Sequence, residues 1–292
     1  MPVCPYCGGS VEQQPGEVVL TCPYCGTAFA VGGGEVGEHL MGSVNYAVQQ
    51  VLDVFRSWAL RMPETPNDFS GATRLRDYRL VFYPYWVVQV IGRTEIGGEV
   101  EEESVEVSIP AHRSMLRTPL ERLRLSLTGK IYYSHRHVVQ WNGRLVNPSV
   151  SPAEAEGMAK SVGWQSIAER LRRKFGGSFS RGELDVVVTD RYLVHVPVYD
   201  CVYEYRGRSY RFMADASDAR ILYAEVPIEL KFRAAALASG ALSLALAAAL
   251  LPLLLNAPLF TLTCAAGLTF VGIFSLYKGL RREVRTVRFF ES

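Results

Sequence analysis

The chain has 292 residues, 49% of them hydrophobic, a mean hydropathy of +0.08 and a formal net charge of +2. That length leaves room for two or more structural units, and the near-neutral balance gives the chain as a whole no electrostatic footprint for nucleic acid. The opening "MPVCPYC" carries neither a basic nor an apolar leader region, so a secreted disulfide scaffold is not expected and the N-terminus is expected in a reducing, cytoplasmic setting.

The first element is a pair of CPYCG knuckles, placing Cys4 and Cys7 fifteen or more residues before Cys22 and Cys25. A Cys-x-x-Cys turn aims two sulfurs at one point, and four thiolates suit a tetrahedral ion, above all Zn2+. Gly8 and Gly26 permit the tight turns behind each pair. The intervening "SVEQQPGEVVLT" predicts a short hairpin that turns at Pro15-Gly16 and returns through Val18, Val19 and Leu20. Four protein ligands leave no position for water, so the reading is one structural zinc ion rather than a catalytic one. A rubredoxin-like iron site and a redox dithiol are the alternatives. No Lys or Arg precedes Arg56, while Glu12, Glu17, Glu35 and Glu38 all fall in that stretch. Without cations for phosphate, this unit is expected to contact protein, through Tyr6, Tyr24 or its hairpin, or simply to fold. Residues 1–30 resemble a zinc ribbon of the kind found in general transcription factors (TFIIB-type) and in many prokaryotic membrane proteins.

"VGGGEVG" (31–37) reads as a Gly-rich linker that hinges the first unit; it lacks the Gly-Lys-Ser/Thr ending of a phosphate loop. From 38 to 62, Leu40, Val44, Ala47, Val51, Phe55, Trp58 and Met62 recur at spacings of three and four, predicting an amphipathic helix ended by Pro63 and Pro66.

An α+β domain is expected over 70–228. It contains a self-similarity: "DYRLVFYPYWVVQVIGR" from Asp77 aligns with "DRYLVHVPVYDCVYEYRGR" from Asp190, with Pro84 on Pro197 and Trp86 on Tyr199. Both copies read as strands, and their prolines predict an edge or a bulge. The self-similarity suggests a pseudo-duplicated pair. "ESVEVSIP" (103–110) and the two halves of "RSYRFMADASDARILYAEVP" add strands, with a turn at Asp215 to Asp218. "KIYYSHRHVVQW" reads as a strand, and Ser151 to Phe175 as a helix with Ser151 as N-cap, Pro152 in the first turn and Glu154 as capping-box acid. The second unit, through "SPAEAEGMA" and "YEYRGRSYRFMADASDARIL", resembles a PepSY-type small domain over 151–225; Ser217, Asp218 and Ala219 stand where that family usually shows Thr-Gly. Ribbon, "YPYW", "VPVYDCVYEY" and a terminal apolar segment together resemble uncharacterised prokaryotic TFIIB-type zinc-ribbon membrane proteins, a resemblance that implies no established activity.

Other constellations are weighed against bland readings. His135 and His137 alternate on the expected strand and could bind metal with His112, but Arg136 intervenes and no carboxylate completes the set, so an exposed polar face is expected. His195 stands where the other copy has Phe82, which suggests a packed or edge histidine rather than a base, and Cys201 is expected to be buried. Tyr83, Tyr85 and Trp86 would be a stacking platform for nucleic acid if basic residues flanked them on one face, and Arg74, Arg76, Arg79 and Arg93 lie nearby; sheet core is the default reading. No catalytic constellation emerges, and the chain is not expected to be an enzyme.

The last element is an uncharged run from Ala234 to Leu255, a joint at Asn256-Ala257-Pro258, and a second run to Tyr277. Each is long enough to cross a bilayer at ~1.5 Å per residue, so 233–278 reads as a two-helix transmembrane hairpin. Ser239, Ser243 and Ala247 are small residues at every fourth position, suited to close helix contact. Lys231 and Arg233 precede it, and Lys278, Arg281, Arg282, Arg285 and Arg288 follow in a basic tail, 279–292, which could rest on anionic headgroups. By the positive-inside rule both termini are expected in the cytoplasm of a two-pass membrane protein. The functional expectation is a membrane-anchored scaffold or protein-interaction module. The alternatives are a membrane-tethered nucleic-acid binder and an accessory subunit of a membrane enzyme or transporter.

Overall fold

The structure is a computed structural model. It describes the chain except residues 34–35, 122, 124, 126–128, 178, 181, 253–257, 282 and 288–292. Glu35 of the linker, the end of the first apolar run, Asn256 and Ala257 of its turn, and Arg282 and Arg288 of the tail lie outside the described residues.

Two long strands dominate: β4 (Arg74–Ile96) and β8 (Asp185–Tyr205), paired antiparallel along almost their whole length. Their alternating Val, Tyr and Phe residues cover both faces of the sheet. Tyr85 and Val87 point to one face, and Phe82, Trp86 and Val88 to the other. The alignment between the copies is also a symmetry of this ladder. The offset that matches Asp77 with Asp190 matches Tyr83 with Val196, and Tyr83 and Val196 are paired to each other. The two register shifts leave out Arg76 on β4 and Thr189 on β8, again equivalents. A pseudo-twofold axis therefore passes through the centre of the sheet.

The flanking elements follow the same symmetry. Hairpin β4–β5 (Glu99–Pro110) starts its pairing at Tyr85, and hairpin β8–β9 (Arg208–Asp215) at the equivalent Val198. A short strand also runs parallel to the long strand of the other copy: β3 (Glu38–Gly42) along β8, and β7 (Arg144–Leu145) along β4. Each repeat is thus a β-α-β-β unit whose first strand is lent to its partner repeat.

This arrangement explains the two prolines, which lie in central strands rather than at an edge or a bulge as expected. Pro84 and Pro197 occupy the gaps where one outer partner strand stops and the next begins. The missing N–H faces such a gap, and each proline carbonyl accepts a single bond there, from Ala111 N (2.9 Å) and Ala216 N (2.8 Å).

The expected helix over 38–62 is corrected. Residues 38–42 are strand β3, and helix α1 is Val48–Ala59. The spacing of Leu40 and Val44 mimics a helical period, but the backbone from Glu38 to Met41 finds ladder partners at Tyr192 to His195. Gly42 then passes so near Pro197 that a Cβ would lie 2.7 Å from its Cδ. The expected strand over "KIYYSHRHVVQW" is likewise split into β6 (Lys130–Tyr132), paired with β3, and helix α3 (His135–Gln140). The short helix α2 is Phe69–Ala72, and α4, Pro152–Phe175, begins at the expected cap, with the Ser151 hydroxyl accepting from Glu154 N, while the Glu154 carboxylate pairs with Arg113 instead of closing the expected capping box.

Helices α1 and α4 cover one face of the sheet, α1 over the β8–β9 hairpin and α4 over β4–β5, while Met115, Leu120 and Leu123 cover part of the other face. Strand β10 (Ile221–Pro227) extends the sheet beyond β9.

The chain then leaves the sheet as α5 (Leu230–Leu250), returns as α6 (Pro258–Leu280), and pairs β11 (Glu283–Val287) antiparallel with β10, Glu283 opposite Pro227. The start of the basic tail, 279–292, expected to be able to rest on anionic headgroups, is therefore an edge strand of the main sheet. Both feet of the helical hairpin are fixed side by side at that edge. The helices are long and apolar enough to cross a membrane, with mean hydropathies of 1.6 and 1.9 and only 11% and 17% of their most apolar stretches buried. A soluble core helix would be mostly covered. They touch antiparallel through glycine: a Cβ at Gly240, Gly272 or Gly279 would meet Leu276, Leu244 or Leu237 within 3 Å. Ala247 is buried in that contact, but Ser239 is exposed, its hydroxyl donating to the Ala236 carbonyl. The close stripe follows Gly240 and Ala247 rather than the predicted Ser239.

Candidate metal centre

The four N-terminal cysteines converge. Cys4 and Cys25 Sγ lie 3.6 Å apart, as do Cys7 and Cys22 Sγ, and all four sulfurs fall within 4.8 Å of one another. A tetrahedron of thiolates ~2.3 Å from a central ion has edges of ~3.8 Å, so this cluster fits a metal ion. All four are free thiols rather than disulfides.

Both knuckles have the same local cause. Cys4 N donates to Gly9 O and Gly8 N to Cys4 O; Cys22 N donates to Thr27 O and Gly26 N to Cys22 O, all at 2.9–3.0 Å. Gly8 and Gly26 close these loops at φ of 73° and 79°, a region costly for any residue with a Cβ. One cysteine of each knuckle is buried, Cys4 and Cys22, and packs with Val11, Leu20 and Phe29 into a small core. The expected hairpin turns at Gly16, but its returning strand β1 (Val19–Thr21) pairs with β2 (Ala28–Ala30) after the second knuckle.

Burial pushes the Cys22 thiol up to about 12. At Cys25 burial also acts upward, but hydrogen bonding with Thr27 and with the neighbouring thiols brings it down to about 6. One thiolate thus forms readily, and an incoming cation would displace the remaining protons.

This unit is docked rather than free on its linker. Val18 N donates to Pro148 O at 3.0 Å, and Thr21 N to the Asn147 side-chain carbonyl at 3.2 Å. Val19 and Ala28 join the core beneath α4, and Val36 of the linker is buried in it. A second contact reaches the knuckle itself. His39 on β3 hydrogen-bonds through Nδ1 to the Gly26 carbonyl (3.0 Å) and through Nε2 to His195 Nδ1 (2.9 Å). His195 Nε2 in turn faces the Val146 carbonyl at 3.0 Å, and the ring of Tyr133 stacks on His39 at 4.2 Å.

Counting protons on this chain is informative. Carbonyls at both ends require two N–H donors, and the imidazole–imidazole contact requires a third proton, whereas two neutral rings carry two. Burial disfavours the extra charge: it lowers His39 to about 4 and His195 well below its ordinary value, where the His39 charge acts in the same direction. The neutral pair therefore leaves one contact of the three without a proton.

The other candidate residues have structural roles. His112 accepts from Ser114 N at the head of a 3-10 turn; His137 Nε2 accepts from Val44 N; His135 meets the Tyr133 hydroxyl at 3.2 Å. His135 and His137 lie on helix α3, not on a strand, and among the described residues the four cysteines are the only cluster of three or more metal-type ligands. Asp215 and Asp218 shape their turn, accepting from Ser217 N and Arg220 N. Cys201 is buried, and burial raises its thiol to about 12. Tyr85 and Trp86 are fully buried and donate to Leu120 O and Val150 O, so neither can stack on a base. Arg76 and Arg93 are paired with Glu204 and Glu102.

His39 was invisible to sequence reasoning. It sits in the stretch read as helix, and its partner is 156 residues away. The available signal was the substitution of histidine at His195 for the Phe82 of the other copy.

Comparison of the chain with protein-family models, with curated proteins and with solved structures finds no match.

Proposed function

We propose that the chain is a membrane-anchored cytoplasmic protein whose N-terminal unit is a zinc ribbon, and that it acts as a non-enzymatic scaffold presenting that ribbon to a protein partner. The observation that carries this reading is the pairing of a closed four-sulfur cluster with an apolar hairpin whose two feet share one sheet edge. Four sulfurs at tetrahedral spacing favour a structural Zn2+ ion held by Cys4, Cys7, Cys22 and Cys25, with no ligand position left for substrate. A hairpin that starts and ends on adjacent strands supports a two-pass topology with the sheet and both termini on one side, and the flanking Lys231, Arg233, Lys278 and Arg281 favour the cytoplasm.

The scaffold reading draws on exposed aromatic surface around the ribbon. Tyr6, Tyr24 and Tyr132 are each at least 74% exposed, and Tyr24 and Val139 line one groove between the second knuckle and α3. The ribbon is presented as a fixed face of the domain, not as a tethered arm. The buried titratable groups Asp215, His195 and Cys201 are accounted for by a turn, a joint and a core.

The test is affinity isolation of the intact protein from native membranes in mild detergent, beside a Cys22→Ser, Cys25→Ser variant, with metal analysis of both. The expected result is one zinc per chain and a near-stoichiometric partner, both lost from the variant. Iron in place of zinc would replace the ribbon reading, and a partner retained equally by the variant would move docking to the α+β domain or the hairpin. Full extraction of the intact protein by alkaline carbonate would remove the anchor.

A further inference from the structure

At the foot of the hairpin lies a cavity of about 540 Å3, between the β8–β9 turn, the segment before α2 and the first turn of α5. Four cations line it, Arg206, Arg208, Lys231 and Arg233, against two acids, Asp68 and Glu229. Both acids are committed. Asp68 receives two bonds from Arg206 (2.7 and 3.2 Å) and one from the Tyr205 hydroxyl (2.7 Å), which hold its carboxyl below the usual range. Glu229 pairs with Lys231 at 2.7 Å.

Two guanidinium groups meet no carboxylate among the described residues. The side chain of Arg208, the first residue of β9, has no hydrogen bond or ion pair among those residues. Among the described residues the Arg233 guanidinium gives only its Nε, to the Gly279 carbonyl at 3.2 Å, which clips α5 to the end of α6 and leaves its other N–H groups without a partner there. A cavity of this size with two forked cations and a surplus of positive charge is built for a phosphate group.

We infer that this cavity binds the phosphate of an anionic phospholipid, held jointly by Arg208 and Arg233. The inference rests on the membrane-anchored reading, which also decides the source of the phosphate. Arg233 immediately precedes the uncharged run that begins at Ala234, and Pro227 ends the last strand before the hairpin. With α5 and α6 in a bilayer, the cavity therefore sits at headgroup depth. The surplus positive charge disfavours zwitterionic headgroups, whose own cation would lie near Lys231 or Arg206.

The experiment uses the full chain in nanodiscs of phosphatidylcholine with a minor fraction of phosphatidylglycerol, reading the lipids retained on transfer to detergent by native mass spectrometry. Wild type is expected to retain phosphatidylglycerol in preference to phosphatidylcholine. Arg208→Glu is expected to lower that preference by about five- to thirty-fold, at roughly one factor of five per unit of charge near the surface. Arg136→Glu, the same charge change on α3, is expected to leave it unaltered. Equal losses in both variants would reduce the effect to bulk charge and overturn the site, as would an unchanged preference in Arg208→Glu. Displacement of phosphatidylglycerol by millimolar inorganic phosphate would make free phosphate the ligand and overturn the lipid assignment. Anchoring is read separately: Arg208→Glu should resist carbonate extraction like wild type, and wild type that never enters the nanodisc would refute the anchor itself.

Discussion

The two repeats share a register, a pair of bulges and a pair of gap-filling prolines, yet they are packed by opposite means. Under the repeat alignment Val90 and Gly92 of β4 correspond to Tyr203 and Tyr205 of β8. Over the first pair lies α4, which presents Ala155, Ala159, Gly163, Ile167 and Leu171 at every fourth position. Over the second lies α1, which presents Phe55 and Trp58. On the α4 side each glycine receives a branched side chain, Gly163 against Val90 and Gly92 against Ile167, whereas on the α1 side aromatics face aromatics, so one helix lies close to the sheet and the other is propped away from it. Backbone register is what the repeats hold in common, and layer spacing is set separately on each side by matched side-chain volumes.

If the aromatic side is a filled layer, emptying it should have the largest effect. Phe55 is fully buried, stacked on Phe212 at 4.2 Å and tilted on Tyr203 at 5.2 Å. Phe55→Ala should destabilise the domain by about 3–5 kcal/mol, read as a fall in the denaturant midpoint of the detergent-solubilised chain. A loss under 1 kcal/mol would mean that α1 collapses onto the sheet and the two sides are not different in kind.

The close side should fail in the other direction, by overfilling. A Cβ at Gly163 would already lie 2.7 Å from Val90 Cγ1. Gly163→Val is expected to cost about 1–3 kcal/mol, and Val90→Ala in the same chain should restore part of it. Additivity of the two changes in a double-mutant cycle would show that helix and strand are not in contact there.

How much of this was legible in sequence depends on the range of the interaction. The knuckles, the Ser151 cap and the apolar helices are local patterns and were read directly. The repeat was also visible, because seventeen consecutive positions of one strand were compared with their copy. What sequence could not show was that each repeat lends its first strand to the other. Strand β3 has five residues, too few for a period-two pattern to outweigh a chance helical spacing, and its ladder partner lies across the whole domain. The docking of the four-cysteine unit was hidden for the same reason, since Val18, Thr21 and Gly26 attach through backbone groups whose partners at Pro148, Asn147 and His39 carry no sequence signature.

His195 is the point where the repeats differ in chemistry and not merely in volume. Its equivalent, Phe82, faces the borrowed strand β7 as His195 faces β3. His195→Phe would make the centre more symmetric, but it would strand His39 and the Val146 carbonyl. The expected cost is about 1–3 kcal/mol, with faster amide exchange at Val18 to Val31; protection equal to wild type would show that the histidine pair does not hold the N-terminal unit. The same pair sets a pH window. Both rings are held below their ordinary value, so the unfolded chain binds protons the folded one refuses between about 6.5 and about 4. Their contribution should be complete above pH 6.5 and decline as pH falls toward 4. Subtracting the stability profile of His39→Gln, His195→Phe, with metal content monitored in both, should isolate that slope. A flat difference would mean that the shared proton, favoured by the hydrogen-bond count, offsets burial, and a slope of the opposite sign that it outweighs burial.

The smallest effect should have the opposite sign and sharpens the contrast within one helix. Gly157 lies six residues before Gly163 on α4, but it is exposed, and a Cβ there would meet nothing within 4 Å. Nothing in the packing requires glycine at this position, and a glycine inside a helix carries the full entropy loss of an unrestricted backbone. Gly157→Ala should therefore stabilise by about 0.5–1 kcal/mol, while Gly163→Ala destabilises. Two identical substitutions on one helix, differing only in the face they occupy, would then separate intrinsic helix propensity from the close approach to β4. If both stabilise, α4 stands further from the sheet than Val90 and Ile167 imply, and the two repeats are packed alike.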